Sequence, residues 1–287
     1  MRDRIAVKRR IGQLYALLKK RDAQRKLILL YHSVGNGTEA TAKKVFRDHI
    51  ADIVAMGRLL PLRDILGSIP DRAIAVAITF DDGYATLKDH AAAILADFGC
   101  SATVFLNVGE IADRERRASR AEDGYHSGEE FLTWGDVDSL VAGGWSVGSH
   151  GVHHVDLVTA SNVTVKNELS ISKSMIEKRL GKVCDMFAYP WGRKNRHVIG
   201  EVRWAGYRYG FSGDHSRLTA ISDPLALPRI NVANEYLRDD VAAILRGDWD
   251  YLYWVTGTKA AFNSWCGPAQ RHYEAFKKKK MGGIEVT

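Results

Sequence analysis

Short apolar runs alternate with amphipathic segments along most of the chain. Five runs are rich in branched and aromatic residues and bounded by turn-forming residues, which predicts buried strands at 26–34, 73–80, 101–108, 144–150 and 184–190. Three segments carry apolar residues at helical spacing and end at glycine, which predicts helices at 85–99, 133–144 and 163–181. This strand-then-helix order predicts an α/β fold with a parallel sheet, open or closed into a barrel.

Polar side chains directly follow four of these apolar runs. They are Tyr31-His32, Asp81-Asp82, His150 and Tyr189-Pro190-Trp191. The carboxyl ends of parallel strands meet at one edge of a sheet, so we expect these groups to collect at one rim. Residues 112–130 interrupt the pattern with many charged residues, and we expect a flexible excursion there.

The charge of the chain is concentrated at its two ends. The 287 residues carry a formal net charge of +7; residues 1–26 hold ten basic and two acidic side chains (+8), and residues 259–287 hold six and two (+4), which leaves −5 for the body. A mildly acidic body argues against a nucleic-acid-binding face. The stretch 7–21 alternates basic and apolar residues, which predicts a helix lying on its own domain or, as the alternative, peripheral contact of the basic termini with an anionic membrane.

The cysteines and the N-terminus suggest a compartment. Cys100, Cys184 and Cys266 are odd in number and widely spaced, so they indicate core thiols rather than disulfides or a cysteine zinc site. The apolar run 27–31 is too short for a signal peptide, and no stretch approaches the length of a membrane span. We therefore expect a cytoplasmic protein, with peripheral contact to the inner membrane as an option.

Two adjacent carboxylates and a histidine pair are the strongest chemical signal. Asp81-Asp82-Gly83 alone suits a simple turn. However, His150 and His154 stand four residues apart after another predicted strand. Two imidazoles and one carboxylate suit Zn²⁺ or a similar divalent ion and leave coordination positions open. Together they favour a metal site.

Six segments resemble the motifs of the polysaccharide deacetylases, the NodB-homology carbohydrate esterases. In chain order they are "LILLYHSVG" (27–35), "TFDDGY" (79–84), "FLTWGDVDSLVAGGWSVGSH" (131–150), "SHGVHHVDL" (149–157), "FAYPWG" (187–192) and "LPRINV" (227–232). The resemblance covers roughly residues 27–235. It implies a distorted (β/α) barrel of seven strands, with helical extensions at both ends.

The resemblance also implies roles for individual residues. It makes Asp81 the general base, and Asp82, His150 and His154 the ligands of a divalent metal, with Zn²⁺ as the expected ion. The backbone amide of Trp191 becomes the oxyanion donor, while its ring either packs or stacks on a sugar. The remaining rim residues are candidates for substrate binding: Tyr31, His32, Tyr84, Tyr189 and Pro190, with core packing as the alternative for Tyr31.

The chain departs from the family pattern at two catalytic positions. Many members carry an arginine where this chain has Ala188, and we hypothesise that Arg229 takes over the orientation of Asp81. The late histidine that acts as general acid in the family has no evident counterpart. His215 is the nearest candidate, with water or protonated Asp81 as alternatives.

A third departure lies beside the first metal-binding histidine. Gly151 stands where the family usually has serine or threonine, so the support of the ligands by neighbouring groups is an open question. The additional imidazole of His153 is expected in the layer behind the ligands or on the surface.

These observations predict a metal-dependent hydrolase that removes an N-acetyl or other small N-acyl group from an amino-sugar-containing saccharide. The substrate is expected in exopolysaccharide or cell-envelope glycan synthesis, with lipid-linked and nucleotide-linked saccharides as options. The alternatives are a saccharide-binding protein without turnover and a membrane-associated assembly component. The predicted organisation is a basic extension at 1–26, a catalytic domain at 27–240 and an aromatic-rich basic extension at 241–287.

Overall fold

The computed structural model describes residues 2–19, 24–67 and 73–256. The strands in these ranges are β1 Arg25–Tyr31, β2 Arg58–Leu59, β3 Ile74–Phe80, β4 Thr103–Leu106, β5 Ser146–Ser149, β6 Met186–Ala188, β7 Tyr209–Phe211 and β8 Ile230–Asn231. The helices are α1 Arg2–Leu18, α2 Lys43–Met56, α3 Leu62–Leu66, α4 Ala92–Asp97, α5 Trp134–Ala142, α6 Asn162–Leu180, α7 Arg196–Trp204, α8 Arg238–Arg246 and α9 Tyr251–Thr256. One π-helical turn, Leu87–Ala91, leads into α4.

All strand pairs are parallel, and the sheet curls into an incomplete barrel. Seven strands follow the order β7-β6-β5-β4-β3-β1-β8, and the two-residue β2 pairs with β3 beside this path. An isolated parallel bridge joins Phe211, the last residue of β7, to Leu227 on the segment that leads to β8. The predicted parallel α/β sheet of the barrel type is confirmed, with the strand ends at one rim.

All of the predicted strands and helices are present, although most are shorter than predicted. The five predicted strands correspond to β1, β3, β4, β5 and β6, and the three predicted helices to α4 with its π turn, α5 and α6. The sequence pattern missed β2, β7 and β8, which have two or three residues each and are too short for a periodicity signal.

The core has two compartments because side chains alternate along each strand. On β1, Leu27, Leu29 and Tyr31 face the layer of surrounding helices, while Ile28 belongs to the apolar cluster that also contains Phe105 and Ala188. Ala188 therefore packs inside the sheet, directly below the rim.

Helix α1 lies on the C-terminal helices. Lys8 donates to Tyr236 at 2.8 Å, and the two guanidinium nitrogens of Arg9 each lie 2.7 Å from a carboxylate oxygen of Asp240. Tyr15 packs against Tyr251 with ring centroids 5.9 Å apart. The helix thus rests on its own domain, as the simpler interpretation predicted; the boundaries at 26 and 240 stay predictions.

The C-terminal extension is described only in part. Trp249 and Tyr251 are buried against the rest of the molecule, whereas Tyr253 is exposed. Trp265, Cys266 and Tyr273 lie outside the described residues. Within 2–19, 24–67 and 73–256, no helix is both long enough and apolar enough to cross a bilayer.

Residues 112–130 are firmly attached to the domain, contrary to the expectation of a flexible excursion. Arg116 binds both carboxylate oxygens of Asp89 at 2.7 and 2.9 Å and also contacts Asp136 at 3.1 Å. The backbone N–H of Ala85 donates to the carbonyl of Glu130 at 2.7 Å, which connects the end of the segment to the loop after β3.

Candidate metal centre and catalytic site

The ends of two strands, separated in the sheet by β4, bring the acidic and imidazole groups together. Asp81 and Asp82 follow β3, and His150 follows β5, so the parallel sheet places all three at the same rim. His154 reaches the same point from the turn after His150. All four side chains are buried, which is costly for charged groups unless partners or a cation compensate.

Asp82, His150 and His154 form the one cluster with metal-ligand geometry among the described residues. The Nε2 atoms of both histidines lie 3.7 Å from Oδ1 of Asp82, too far for hydrogen bonds and close enough to share an ion. Nδ1 of His150 lies 2.8 Å from the carbonyl of Ala188, so Nδ1 carries the proton and Nε2 presents its lone pair. The donor set therefore fits a divalent cation.

The imidazoles are held neutral, as ligation requires. Burial lowers the pKa of His150 to about 4, although Asp81 opposes this shift. Burial likewise lowers the pKa of His154 to about 3. Both rings thus offer lone pairs rather than protons at neutral pH.

Asp82 is oriented by two polar neighbours that the sequence analysis did not assign to this task. Asn107, just after β4, donates from Nδ2 to Oδ1 of Asp82 at 3.1 Å. The buried Tyr84 hydroxyl is close to the same carboxylate and opposes the rise in its pKa. Burial raises the pKa of Asp82, so an adjacent cation would stabilise its ionised form.

Glu168 of α6 supports the turn that carries the second histidine. Its carboxylate accepts hydrogen bonds from the N–H groups of Val152 at 2.6 Å and His153 at 3.0 Å. Gly151 has φ +89°, and a Cβ there would lie 2.8 Å from Oε2 of Glu168. The glycine that departs from the family pattern is therefore required, and Glu168 supplies the support expected from a hydroxyl. His153 is exposed, in agreement with the surface position that was one of the two predicted for it.

Arg229 makes a two-pronged ion pair with Asp81. Its terminal nitrogens each lie 2.7 Å from one carboxylate oxygen, and its Nε donates to the carbonyl of Ser212 at 3.1 Å. Burial by itself would raise the pKa of Asp81, but Arg229, assisted by His150, lowers it to about 2. The contact required by the Arg229 hypothesis is present; its catalytic role stays a prediction.

Strained backbone is concentrated at this site. Among the described residues, the non-glycine residues with positive φ are Asp82 (69°), His154 (53°) and Trp191 (61°). Two are candidate ligands and the third packs its ring on His154, with centroids 4.6 Å apart. Such conformations persist only where the surrounding structure holds them, and they are common at functional sites.

His32 lies at the open side of the cluster. It is partly exposed and directly follows Tyr31, the last residue of β1, whose carbonyl accepts a hydrogen bond from the N–H of Asp81 at 3.1 Å. It therefore remains available for contact with a substrate.

Four other predicted substrate-binding residues are inaccessible, which corrects the expectation for them. Tyr31 is fully buried and contacts Nδ1 of His49 at 3.2 Å, so its core-packing alternative holds. Tyr84 is turned toward Asp82 and Tyr189 donates to the carbonyl of Leu225 at 2.6 Å; both are fully buried. Pro190 is buried as well. The sequence located these residues at the rim, but the Tyr31 side chain lies on the helix-facing side of β1, and hydrogen bonds hold the Tyr84 and Tyr189 rings inward.

His215 is not part of the site, contrary to its assignment as a candidate acid. The charged groups that act on its pKa are Lys8 and Asp250, in addition to burial, and together they lower it to about 4. Asp250 pairs with Arg25 at the start of β1, the opposite end of the sheet from Asp81. Leu218, three residues after His215, pairs with Lys26 near the start of β1, so the chain runs from the rim toward the opposite end of the sheet at His215.

One wall of the site comes from the segment 112–130. A Cβ on Gly124 would lie 2.5 Å from the ring of Trp191, and Tyr125 stacks on His154 with centroids 5.3 Å apart. His126 stacks on Tyr84 at 5.2 Å. The sequence analysis missed these residues because nothing in their spacing distinguishes them within a charged segment.

Comparison with known proteins agrees with this fold and site. Residues 69–210 match the family model described as polysaccharide deacetylase. The chain is 25% identical over 227 residues to the poly-β-1,6-N-acetyl-D-glucosamine N-deacetylase of Staphylococcus aureus (strain MSSA476), covering 76% of this chain and 72% of that protein.

Two solved structures share the fold. The Streptococcus pyogenes deacetylase PplD, in complex with acetate, superposes with a TM-score of 0.64 at 22% identity, covering 76% of this chain and 96% of that chain. IcaB from Ammonifex degensii gives a TM-score of 0.62 at 19% identity, covering 77% and 97%. The motif-bearing residues are assembled at one rim of the same fold, and the chain resembles the polysaccharide deacetylases over the segment that carries Asp81, Asp82, His150 and His154.

Proposed function

We propose that the protein is a metal-dependent hydrolase that removes the N-acetyl, or another small N-acyl, group from an amino-sugar-containing saccharide. The observation that carries this proposal is the pairing of two adjacent carboxylates with different partners. Asp82 faces two neutral histidines, whereas Asp81 is held by Arg229 with Oδ2 3.8 Å from Nε2 of His150. One acid is thus available to a cation and its neighbour to a proton.

The residues of this chain supply the proton transfers and the positioning. A divalent cation on Asp82, His150 and His154, with Zn²⁺ as the expected ion, would activate water and polarise the substrate carbonyl. Asp81 accepts the proton of the attacking water, since Arg229 keeps it ionised at neutral pH. The Trp191 amide, in its positive-φ turn, is assigned to the developing oxyanion.

His32 replaces His215 in the role of proton donor to the leaving amine. It is a partly exposed histidine that directly follows β1, and the N–H of Asp81 donates to the carbonyl of the preceding Tyr31 at 3.1 Å. His32 therefore has the position that a general acid needs, which His215 lacks.

The relatives suggest where to look for the substrate. The Staphylococcus aureus relative is named for poly-β-1,6-N-acetyl-D-glucosamine, so β-1,6-linked N-acetylglucosamine oligomers are the first substrate to test. Lipid-linked and nucleotide-linked amino sugars are the second group. Both place an acylated amine beside sugar hydroxyls, which suits a rim of polar side chains.

The test is amine release from β-1,6- and β-1,4-linked oligomers by zinc-loaded protein, alongside Asp81→Asn. We expect release by the wild type and a loss of at least about 100-fold in Asp81→Asn, with zinc content unchanged. The matched control is Asp97→Asn, an exposed carboxylate outside the site, which should keep full activity. Equal release by wild type and Asp81→Asn would refute the assignment of Asp81.

The alternatives make different predictions in the same assay. A saccharide-binding protein would bind the oligomers without releasing amine in either form. An assembly component would show neither turnover nor oligomer binding. The intact ion pair of Asp81 with Arg229 favours turnover over both alternatives.

We also propose that α1 contacts an anionic membrane surface. Its docked side holds Ile5 and Lys8, whereas Val7, Ile11, Leu14 and Leu18 form a stripe on the other side with exposed fractions of 48%, 39%, 64% and 87%. Residues 1–26 carry a net charge of +8, and the part of it that Asp240 and Asp250 do not neutralise complements anionic lipid. The cytoplasmic location predicted from the sequence stays a prediction.

Co-sedimentation with vesicles tests the membrane proposal. We expect binding to vesicles that contain phosphatidylglycerol and little binding to phosphatidylcholine alone. Leu14→Ser with Leu18→Ser should abolish it, whereas Ile221→Ser, at a residue 94% exposed elsewhere, should not. Unchanged binding of the double variant, or no binding by the wild type, would overturn the proposal.

A further inference from the structure

The three consecutive residues Gly124, Tyr125 and His126 line one wall of the candidate site. Gly124 lies against the Trp191 ring, Tyr125 stacks on His154, and His126 lies 5.3 Å from the ring of His32 and 5.2 Å from that of Tyr84. Three consecutive residues thus contact the proposed oxyanion residue, a proposed metal ligand and the proposed acid.

The backbone of this wall is fixed from behind. The N–H of His126 donates to the hydroxyl of Tyr84 at 2.8 Å, and the carbonyl of His126 accepts from the Ser119 hydroxyl at 2.5 Å. The same Ser119 hydroxyl also contacts the carbonyl of Glu129 at 2.8 Å. A side chain presented from such a backbone is positioned before the substrate arrives.

The imidazole of His126 is held at one nitrogen. Its Nδ1 lies 3.4 Å from the hydroxyl of Ser33. Among the described residues, no hydrogen-bond partner is recorded for Nε2 of His126. The ring is partly exposed beside His32, so Nε2 is available to a molecule that enters the site.

We propose that His126 is a substrate-binding residue that hydrogen-bonds a hydroxyl group of the acylated amino sugar, with Ser33 holding its ring at Nδ1. This role of His126 rests on the proposed deacetylase function. It assigns recognition of the sugar, as distinct from its acyl group, to the segment 112–130. A neutral imidazole donates or accepts one hydrogen bond, which matches a sugar hydroxyl. Burial, with His32 and His154 nearby, lowers the pKa of His126 to about 3, in keeping with a neutral ring.

Two substrates separate recognition of the sugar from the chemistry. N-acetylglucosamine oligomers have both the acyl group and the hydroxyls, whereas nitrophenyl acetate has only the acyl group. His126→Phe keeps a flat ring for packing on Tyr84 and removes the hydrogen bond. The matched control is His197→Gln, at an exposed histidine on α7.

For His126→Phe we expect KM for the oligomer to rise roughly fivefold to tenfold, the effect of one hydrogen bond. We expect kcat for the oligomer, hydrolysis of nitrophenyl acetate and zinc content to stay within about twofold, since the reacting groups are untouched. Ser33→Ala should shift KM in the same direction by a smaller factor.

Two results would overturn the proposal. Unchanged KM for the oligomer would remove His126 from substrate binding. A parallel loss of both activities would show that the ring only supports the site. If the wild type hydrolyses no oligomer, the proposed function fails, and the role of His126 is tested by calorimetric measurement of oligomer binding. Weaker binding by His126→Phe than by the wild type supports the role. Equal binding by the two proteins, or no binding by the wild type, overturns it.

Discussion

At the scale of single residues, the site depends on side chains that support the reacting groups from behind. Arg229 and Glu168 lie outside the predicted ligand set, yet one fixes Asp81 and the other fixes the turn that carries His154. Both are buried, and each satisfies more than one polar group. Loss of such support changes geometry without removing a ligand or the base.

Substitution of Arg229 by lysine should separate geometry from charge. Lysine retains the positive charge near Asp81 but cannot bind both carboxylate oxygens at once. We expect amine release to fall by roughly 100-fold, because misplacement of a catalytic group by about 1 Å costs that much. Arg63→Lys is the control, since Arg63 also binds both oxygens of a carboxylate, that of Asp185, far from the rim. Full activity in Arg229→Lys would contradict the positioning role.

Substitution of Gly151 by alanine should weaken metal binding. A Cβ at this positive-φ position would lie 2.8 Å from Oε2 of Glu168 and displace the turn before His154. We expect the zinc affinity, measured by chelator competition, to fall about 10- to 100-fold. Gly181→Ala carries similar backbone strain at φ +63° with no atom within 4 Å. Gly181→Ala should lower stability but leave zinc affinity unchanged. Equal zinc affinity in Gly151→Ala and Gly181→Ala would refute the explanation that a Cβ at position 151 displaces the turn before His154.

At the scale of elements, an ion-pair network connects the first helix, the first strand and the last described helix. Asp250, just before α9, accepts from both terminal nitrogens of Arg25 on β1 at 2.7 and 2.8 Å and pairs with Lys19 after α1 at 2.5 Å. The Arg25 side chain is only 1% exposed. The network therefore holds a buried charge that requires its partner.

Substitution of Asp250 by asparagine should destabilise the fold at neutral pH. We expect a loss of about 2–3 kcal/mol in urea unfolding, below the range for fully buried pairs because Asp250 is 22% exposed. Asp97→Asn, which removes an exposed ion pair with Arg47, is the control and should cost less than about 1 kcal/mol.

The effect of Asp250 should depend on pH. Burial would raise its pKa, but Arg25 and Lys19 lower it below the ordinary value of 3.8. A lowered folded-state pKa stabilises the fold above the unfolded value, and this contribution is lost as the pH falls through the folded value. The difference between wild type and Asp250→Asn should therefore shrink below about pH 4. A difference that grows on acidification would contradict this assignment.

At the scale of the whole molecule, the candidate site and the Arg25 ion-pair network lie at opposite ends of the parallel sheet. The candidate site occupies the rim at the carboxyl ends of the strands, and the Arg25 network occupies the opposite end. Because the ligands follow β3 and β5, which are both central in the sheet, a bound ion would link distant parts of the chain. Binding to the folded state alone should then stabilise the whole domain.

Zinc should raise the melting temperature of the protein. At a free concentration 100 times Kd, the expected gain is about 2.7 kcal/mol, or about 5–10 °C for a protein of this size. Asp82→Asn should abolish the shift, and Asp97→Asn should preserve it. An equal shift in Asp82→Asn would place the ion elsewhere.

The sequence by itself determined the order of five strands and three helices of the sheet region and the identity of the candidate ligands. Periodicity is a local property, and Asp81, Asp82 and His150 directly follow strong apolar runs. Only the tertiary structure decided which groups meet across the chain: Arg229 binds Asp81 from 148 positions away, His126 lies beside His32, and His215 is carried from the rim. These contacts depend on how the sheet curls and on which face of a strand each side chain occupies, and neither is encoded in the spacing of neighbouring residues.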